Sequence, residues 1–358
     1  MQPEASQQAS IFEALSRWRD TEYLRPLDVA LARFLATEGG ETNDTVLLLA
    51  ALTSQQLGQG HICLDLDHLL EDPDALFAGH NAEAGEAPAL GNGLNGRSSS
   101  ELVKALQQSP VVDTGEGTAP LVLSGHRLYL RRYWQYEQTV ADQLRAKLSH
   151  ALVPPENLRA RLEDLFGTPS EETDWQKVAC ALATRSALTV ITGGPGTGKT
   201  TTVVKLLGLL QSGAMESGRP LRIRLAAPTG KAAARLSGSI GAAVEALPFD
   251  ASVKAEIPTE PTTLHRLLGR RPDSRHFRHH QHNPLHADLV VVDEASMIDL
   301  ELMAGLLDAL RPETRLVLLG DKDQLASVDA GAVLGDLCRD ADRGGYDKTT
   351  IDWVGEHT

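Results

Sequence analysis

No apolar run in the 358-residue sequence approaches the roughly eighteen residues that a membrane-spanning helix needs, and Thr45–Leu52 stops far below that length. The first residues, Met1–Ala5, carry neither the basic nor the apolar region of a signal peptide. Cysteine is scarce. Cys63, Cys180 and Cys338 are far apart, sit in apolar settings and form no metal-ligand spacing, so reduced core thiols in a cytosolic protein are expected. Basic charge is also in deficit, 34 Lys and Arg against 48 Asp and Glu, a net charge of −14. That balance argues against a protein that coats nucleic acid non-specifically, but leaves room for a local basic track. What remains is an ordinary globular composition, 42% apolar and 23% charged, with room for about two domains.

One stretch organises the chain. Gly193-Gly194-Pro195-Gly196-Thr197-Gly198-Lys199-Thr200 fits the phosphate-loop pattern G-x-x-x-x-G-K-[ST]. The β-branched run Leu188–Thr192 before it reads as a buried strand, and 201–211 after it, with Val203, Val204, Leu206, Leu207 and Leu210 at helical spacing, as a helix. Strand, glycine loop and helix start together make an anion site, because backbone N–H groups turn inward beside the positive end of a helix. Lys199 would reach the β- and γ-phosphates of a nucleoside triphosphate, and the Thr200 hydroxyl would ligate Mg²⁺.

Residues 1–75 read as helical, with Ile11, Leu15 and Trp18 on one helix and Leu27, Ala30, Leu31, Phe34 and Leu35 on a second that starts near Pro26. A third, Asp44 to Gln56, is apolar enough to be buried, and Gly58–Leu64 reads as a turn into a short strand. Residues 72–100 are rich in Gly, Ala, Asn and Ser, the composition of a surface loop. A hairpin around Ser124-Gly125 leads into an amphipathic stretch, Arg131 to Leu152. Thr173 to Gln176 reads as a capping box, with Thr173 as N-cap, opening a helix to about Arg185. Strands at 188–192, 221–227, 288–292 and 315–319 then alternate with helices at 201–211, 230–246 and 299–310. This is the α/β class with a mostly parallel sheet, preceded by a mainly helical amino-terminal domain over 1–115 and a connecting element over 116–168.

Ligands in such sheets collect at the carboxyl ends of strands, where the remaining motifs lie. Leu289–Val292 ends in Asp293-Glu294: the first carboxylate would hold Mg²⁺, and the second would orient and deprotonate an attacking water. Leu316–Leu319 ends in a polar tip where Gln324 would contact the γ-phosphate, unless Asp321–Gln324 is only an Asp-rich turn. After Leu225-Ala226-Ala227, the Pro228-Thr229-Gly230-Lys231 turn could take a nucleic-acid phosphate through its N–H groups and the Thr229 hydroxyl, or be a plain helix cap. Residues 262–286 carry Thr263, His265, Arg266, Arg270, Arg271, Arg275 and Arg278 with a single acidic residue, Asp273, and read as a phosphate-contacting segment or a solvated basic loop. Its histidines lack cysteine or acidic co-ligands, which disfavours a metal site. Paired Asp293-Glu294 and Gln324 suit activation of water rather than of an acceptor hydroxyl, which disfavours a kinase. No carboxylate cluster apart from these suggests a nuclease.

Together these residues resemble the superfamily 1 helicases, and within them the RecD family, the alpha subunits of RecBCD-type helicase–nucleases (exodeoxyribonuclease V). Gly193–Thr202 looks like helicase motif I, Pro228–Leu236 like motif Ia, Val292–Asp299 like motif II and Gly320–Val328 like motif III, while Thr263–Gly269 is similar to a further DNA-contacting motif. The resemblance implies a RecA-like ATPase domain over 169–358 that uses ATP and Mg²⁺. Its nucleotide would be held by Gly194, Pro195, Gly196, Thr197, Gly198, Lys199, Thr200 and Thr201, with Gln176 recognising adenine. Lys199, Glu294 and Gln324 would be catalytic, Thr200 and Asp293 would hold the metal, and Thr229, Lys231, Thr263 and His265 would contact single-stranded DNA. Arg25–Val29, Gly60–Leu64 and Leu128–Leu130 look like the family's amino-terminal region, which docks on the RecC-like gamma subunit of a heterotrimer completed by a RecB-like beta subunit. The family also has a second RecA-like domain whose arginines reach the γ-phosphate. No motif later than the third precedes Thr358, so the sequence reads as the amino-terminal part of a longer protein. Two readings follow: an ATP-driven 5′→3′ helicase subunit acting in double-strand-break repair and recombination, or a nucleotide-binding docking module without motor activity.

Overall fold

The computed structural model describes residues 3–77, 94, 96–168, 172–324 and 330–358. Most of the expected loop at 72–100 lies outside them, as does the tail of the third motif, Leu325–Val328. The described ends of that loop form a short 3₁₀ helix, Pro73–Phe77, and the start of helix Ser99–Gln107. The chain divides into two compact units, residues 1–137 and 138–358 apart from the stretch 328–331, and the division falls inside helix Arg131–Ser149.

In the first unit, helices Pro3–Asp20, Pro26–Thr37 and Asp44–Gly58 enclose a core of Leu15, Val29, Leu35, Leu47, Leu49 and Leu52. Every residue from Thr45 to Gln56 is buried, as the apolar composition of this helix predicts. The second helix departs from expectation. It buries Asp28, Val29, Ala32 and Leu35, while Leu27 and Phe34, part of the anticipated apolar stripe, are 65% and 57% exposed. The reason is polar. The fully buried Asp28 carboxylate accepts from the Arg25 backbone N–H at 2.7 Å, Arg25 Nη2 at 2.7 Å and Ser54 Oγ at 2.6 Å, which turns its own face of the helix inward. Beside the helices lies a four-stranded sheet that the sequence only partly signals. It is formed by β1 (Cys63–Asp65), β2 (Val112–Asp113), β3 (Leu121–Ser124) and β4 (Arg127–Leu130) in the order β1-β4-β3-β2. The predicted hairpin is β3–β4, but Ser124 pairs with Arg127, so the turn residues are Gly125, at φ +60°, and His126.

The second unit is a five-stranded, wholly parallel sheet with helices packed against it. Its strands are β5 (Leu188–Thr192), β6 (Ile223–Ala227), β7 (Thr262–Thr263), β8 (Leu289–Val292) and β9 (Arg315–Gly320), in the order β5-β9-β8-β6-β7. All four residues of β8 are buried, which a strand covered on both faces requires. The order explains the site: the glycine loop follows β5, Asp321–Gln324 follows β9 and Asp293-Glu294 follows β8, so three neighbouring strands deliver their carboxyl ends to one place. Helix Lys199–Glu216 begins two residues earlier and ends later than its apolar pattern suggests. The capping expectation shifts by one residue. Asp174, not Thr173, is the N-cap of helix Trp175–Arg185 and accepts from the backbone N–H groups of Gln176 and Lys177, because a carboxylate there reaches both donors. That leaves the Gln176 side chain free of the capping role. Of the cysteines, Cys180 and Cys338 are buried, but Cys63 is only half-buried.

Candidate nucleotide site

The loop owes its shape to two left-handed glycines, Gly196 at φ +78° and Gly198 at φ +82°, a conformation that other residues adopt only with strain. Gly198 is also the cap of helix Lys199–Glu216, so that helix points its amino-terminal N–H groups into the loop. Thr197 Oγ1 donates to the Gly194 carbonyl at 2.9 Å, and Lys199 Nζ donates to the same carbonyl at 2.9 Å and to that of Gly193. The Gly193 N–H donates to Gly320 O at 3.3 Å, fastening the loop to the end of β9. Lys199 is thereby held over the loop's mouth on bonds that a phosphate oxygen can replace.

A cavity of about 270 Å³ opens above the loop, lined by Pro195–Thr200, Arg235, Leu236, Ser239, Asp293, Glu294, Asp321 and Gln324. It gathers Lys199, Thr200, Asp293, Glu294 and Gln324, five side chains spread over 126 positions of sequence, in one lining. Burial is the largest influence on the Asp293 carboxyl and raises its pKa above the usual carboxylate value; the neighbouring Glu294 charge adds to this, and Lys199 and Arg235 pull the other way. A hydroxyl and a carboxylate are hard oxygen donors that suit Mg²⁺, and a dication would offset the burial that disfavours the ionised Asp293. The donor set fits that metal. Among the described residues no group of three or more His, Cys, Asp or Glu side chains forms a separate metal site.

Glu294 is one of three non-glycine residues at positive φ, here +51°, among the described residues, which places the catalytic candidate on a strained turn. Arg235 Nη1 donates to Glu294 Oε1 at 3.3 Å, and Ser296 Oγ donates to Gln324 Oε1 at 3.4 Å. Sequence reasoning assigned neither Arg235 nor Ser296 to the site. Both contacts join different strands' ends, and no linear spacing signals them.

Gln176 borders a second cavity, of about 580 Å³, beside the loop; Trp175, Thr197, Lys199, Thr202, Cys338 and Tyr346 also line it. Its Nε2 donates to the Thr197 carbonyl at 3.1 Å. Thr201 is exposed and lines neither cavity. Thr229 caps helix Gly230–Glu245 by accepting from the Ala232 N–H, and Thr263 caps helix Leu264–Leu268 by accepting from the Arg266 N–H. Because Ala227 pairs with Thr263 across β6 and β7, these two capped turns emerge side by side at the carboxyl edge of the sheet. His265 lies near the Phe277 ring, with centroids 6.0 Å apart. Thr229, Lys231, Thr263 and His265 thus stand outside the phosphate cavity, on an adjoining edge.

Parallel sheet, phosphate loop and strand-tip carboxylates define a nucleotide-binding P-loop domain, and the family described as "AAA domain" matches residues 176–330. The family described as "RecBCD enzyme subunit RecD, N-terminal domain" matches residues 20–129. The chain is 44% identical over 323 residues to the RecBCD enzyme subunit RecD of Mycolicibacterium smegmatis, covering 88% of this chain and 53% of that protein. It is 39% identical over 355 residues to the RecBCD enzyme subunit RecD of Haemophilus influenzae, covering 92% and 53%. It is also similar to the ATP-dependent RecD2 DNA helicase of Deinococcus radiodurans, 36% identical over 215 residues, covering 55% and 27%. Over the length it spans, the chain belongs to the RecD family. It spans about half the length of the RecD relatives it matches.

Proposed function

We propose that the protein is the ATP-hydrolysing part of a 5′→3′ DNA helicase subunit in a RecBCD-type complex serving double-strand-break repair and recombination. The observation that carries this reading is the convergence of Lys199, Thr200, Asp293, Glu294 and Gln324 on one cavity. The triphosphate lies along Gly194–Thr200, with its base toward Gln176. Thr200 and Asp293 would hold Mg²⁺, which would supply charge neutralisation to the triphosphate. Glu294 takes a proton from water as the water oxygen bonds to the γ-phosphorus and the bond to the bridging oxygen breaks, releasing ADP and phosphate. Gln324, held by Ser296, contacts the γ-phosphate and passes its loss to the strand tip. Single-stranded DNA runs along Thr229, Lys231, Thr263 and His265. Residues 1–115 dock on a RecC-like gamma subunit, with a RecB-like beta subunit completing the assembly.

A second reading, nucleotide binding without motor activity, is favoured by one feature. Among the described residues, Lys199 and Arg235 are the only Lys or Arg that line the phosphate cavity, and Arg235 is engaged by Glu294. A missing transition-state arginine typically slows phosphoryl transfer by ~10³ or more, so turnover by this chain is expected to be slow. Equilibrium binding of ATP with Mg²⁺ to the wild-type chain and to Lys199→Gln tests the shared premise. Binding that drops at least tenfold in the variant supports it. Equal binding would contradict a triphosphate on this loop.

A further inference from the structure

We propose that Arg235 couples nucleic-acid contact to hydrolysis: its guanidinium holds the Glu294 carboxylate until a backbone phosphate of a single strand draws it away. The proposal rests on the helicase reading above and adds to it a residue through which bound DNA would stimulate hydrolysis. Arg235 Nη1 donates to Glu294 Oε1 at 3.3 Å, a bond from helix Gly230–Glu245 to the carboxylate that must take the proton of the attacking water. The bond turns that carboxylate oxygen toward the arginine rather than toward the water it must deprotonate.

The pair is built to be exchanged. It is single and long, and the Arg235 side chain is 78% exposed against 21% for Glu294. Such an exposed contact is weak, whereas a guanidinium can meet a phosphate through two parallel N–H···O bonds. The competing phosphate is placed by the same helix. Thr229 caps it, and Lys231 and Arg235 stand four residues apart on its exposed face while Ala232, Ala233 and Leu236 are buried. Side chains at that spacing are neighbours, so a strand anchored on Thr229 and Lys231 brings its next phosphate within reach of Arg235. One side chain therefore lies at the border of the DNA edge and the phosphate cavity, which it also lines.

The test is ATP hydrolysis by the full chain with and without an oligo-dT strand, for wild type, Arg235→Gln and Arg235→Lys. The Gln variant is expected to hydrolyse several-fold faster without DNA and to lose most of its stimulation ratio, with Lys intermediate. A uniform loss of hydrolysis with and without DNA would overturn the proposal by making Arg235 a phosphate ligand, and an unchanged ratio would overturn it equally. The coupling is reciprocal, so Glu294→Gln, which cannot take the proton, should bind oligo-dT several-fold more tightly, and adding Arg235→Gln should cancel the gain. Unchanged oligo-dT affinity in Glu294→Gln would contradict it. A wild-type chain that binds oligo-dT but hydrolyses no ATP fails the ATPase reading, and the binding comparison still decides the role of Arg235. A chain that hydrolyses ATP but does not bind oligo-dT overturns the coupling alone.

Discussion

Gly198 concentrates two constraints in one residue. Its φ of +82° excludes a side chain without strain, and a Cβ there would stand 2.5 Å from Gln176 Nε2. Gly198→Ala must therefore hold a left-handed alanine, at a cost of roughly 1–2 kcal/mol, and must push Gln176 off the Thr197 carbonyl. The expected outcome is a lower denaturation midpoint together with weaker nucleotide binding; an unchanged midpoint would contradict the geometry. Much at this scale was legible in sequence. Lys199, Thr200, Asp293 and Glu294 announce themselves because each sits at a fixed offset from the strand that delivers it. Arg235 and Ser296 do not, since each acts on a side chain from another strand's end, and only the sheet order β5-β9-β8-β6-β7 brings those ends together. Helix capping was legible only approximately: Thr173 and Asp174 are both good caps by type, and backbone geometry chooses Asp174.

At the scale of elements, apolar runs such as Val290-Val291-Val292 could be read directly, because a strand covered on both faces leaves no room for polar residues. The face of helix Pro26–Thr37 could not, because a buried carboxylate with partners on Arg25 and Ser54 outweighs a stripe containing Leu27 and Phe34. A second buried charge ties helix Arg131–Ser149 to the parallel sheet. Lys147 is 1% exposed, and its Nζ donates to Arg311 O at 3.0 Å and Thr314 O at 2.7 Å, both just before β9. Burial pushes its pKa down from 10.5 to about 8, and the nearby Glu313 opposes that shift. The sign follows from proton binding. Between about 8 and 10.5 the unfolded chain holds a proton that the folded chain has released, so the cost of burying the charge is present below 8 and disappears as pH rises across that window. Relative to Lys147→Met, the wild type is expected to gain stability from pH 8 to 10, by about 3 kcal/mol at most. Denaturation midpoints of both proteins across that range check it, and a wild-type midpoint that does not rise relative to the variant's would show that the two carbonyls keep the ammonium charged.

For the whole molecule, two compact units meet the two family matches in sequence, residues 20–129 in the first and 176–330 in the second. This organisation is the basis of the division of labour proposed above, with one unit docking on partners and the other hydrolysing ATP. The composition, with its charge of −14, gave no hint of DNA; the case for it rests on a narrow edge of Thr229, Lys231, Thr263 and His265 rather than on net charge. The most direct measurement of the central claim is steady-state ATP hydrolysis by the 358-residue chain and its Lys199→Gln variant, with and without single-stranded DNA. The account predicts slow hydrolysis that DNA accelerates and that Lys199→Gln removes under both conditions. Hydrolysis that survives Lys199→Gln, or that DNA leaves untouched, would contradict it.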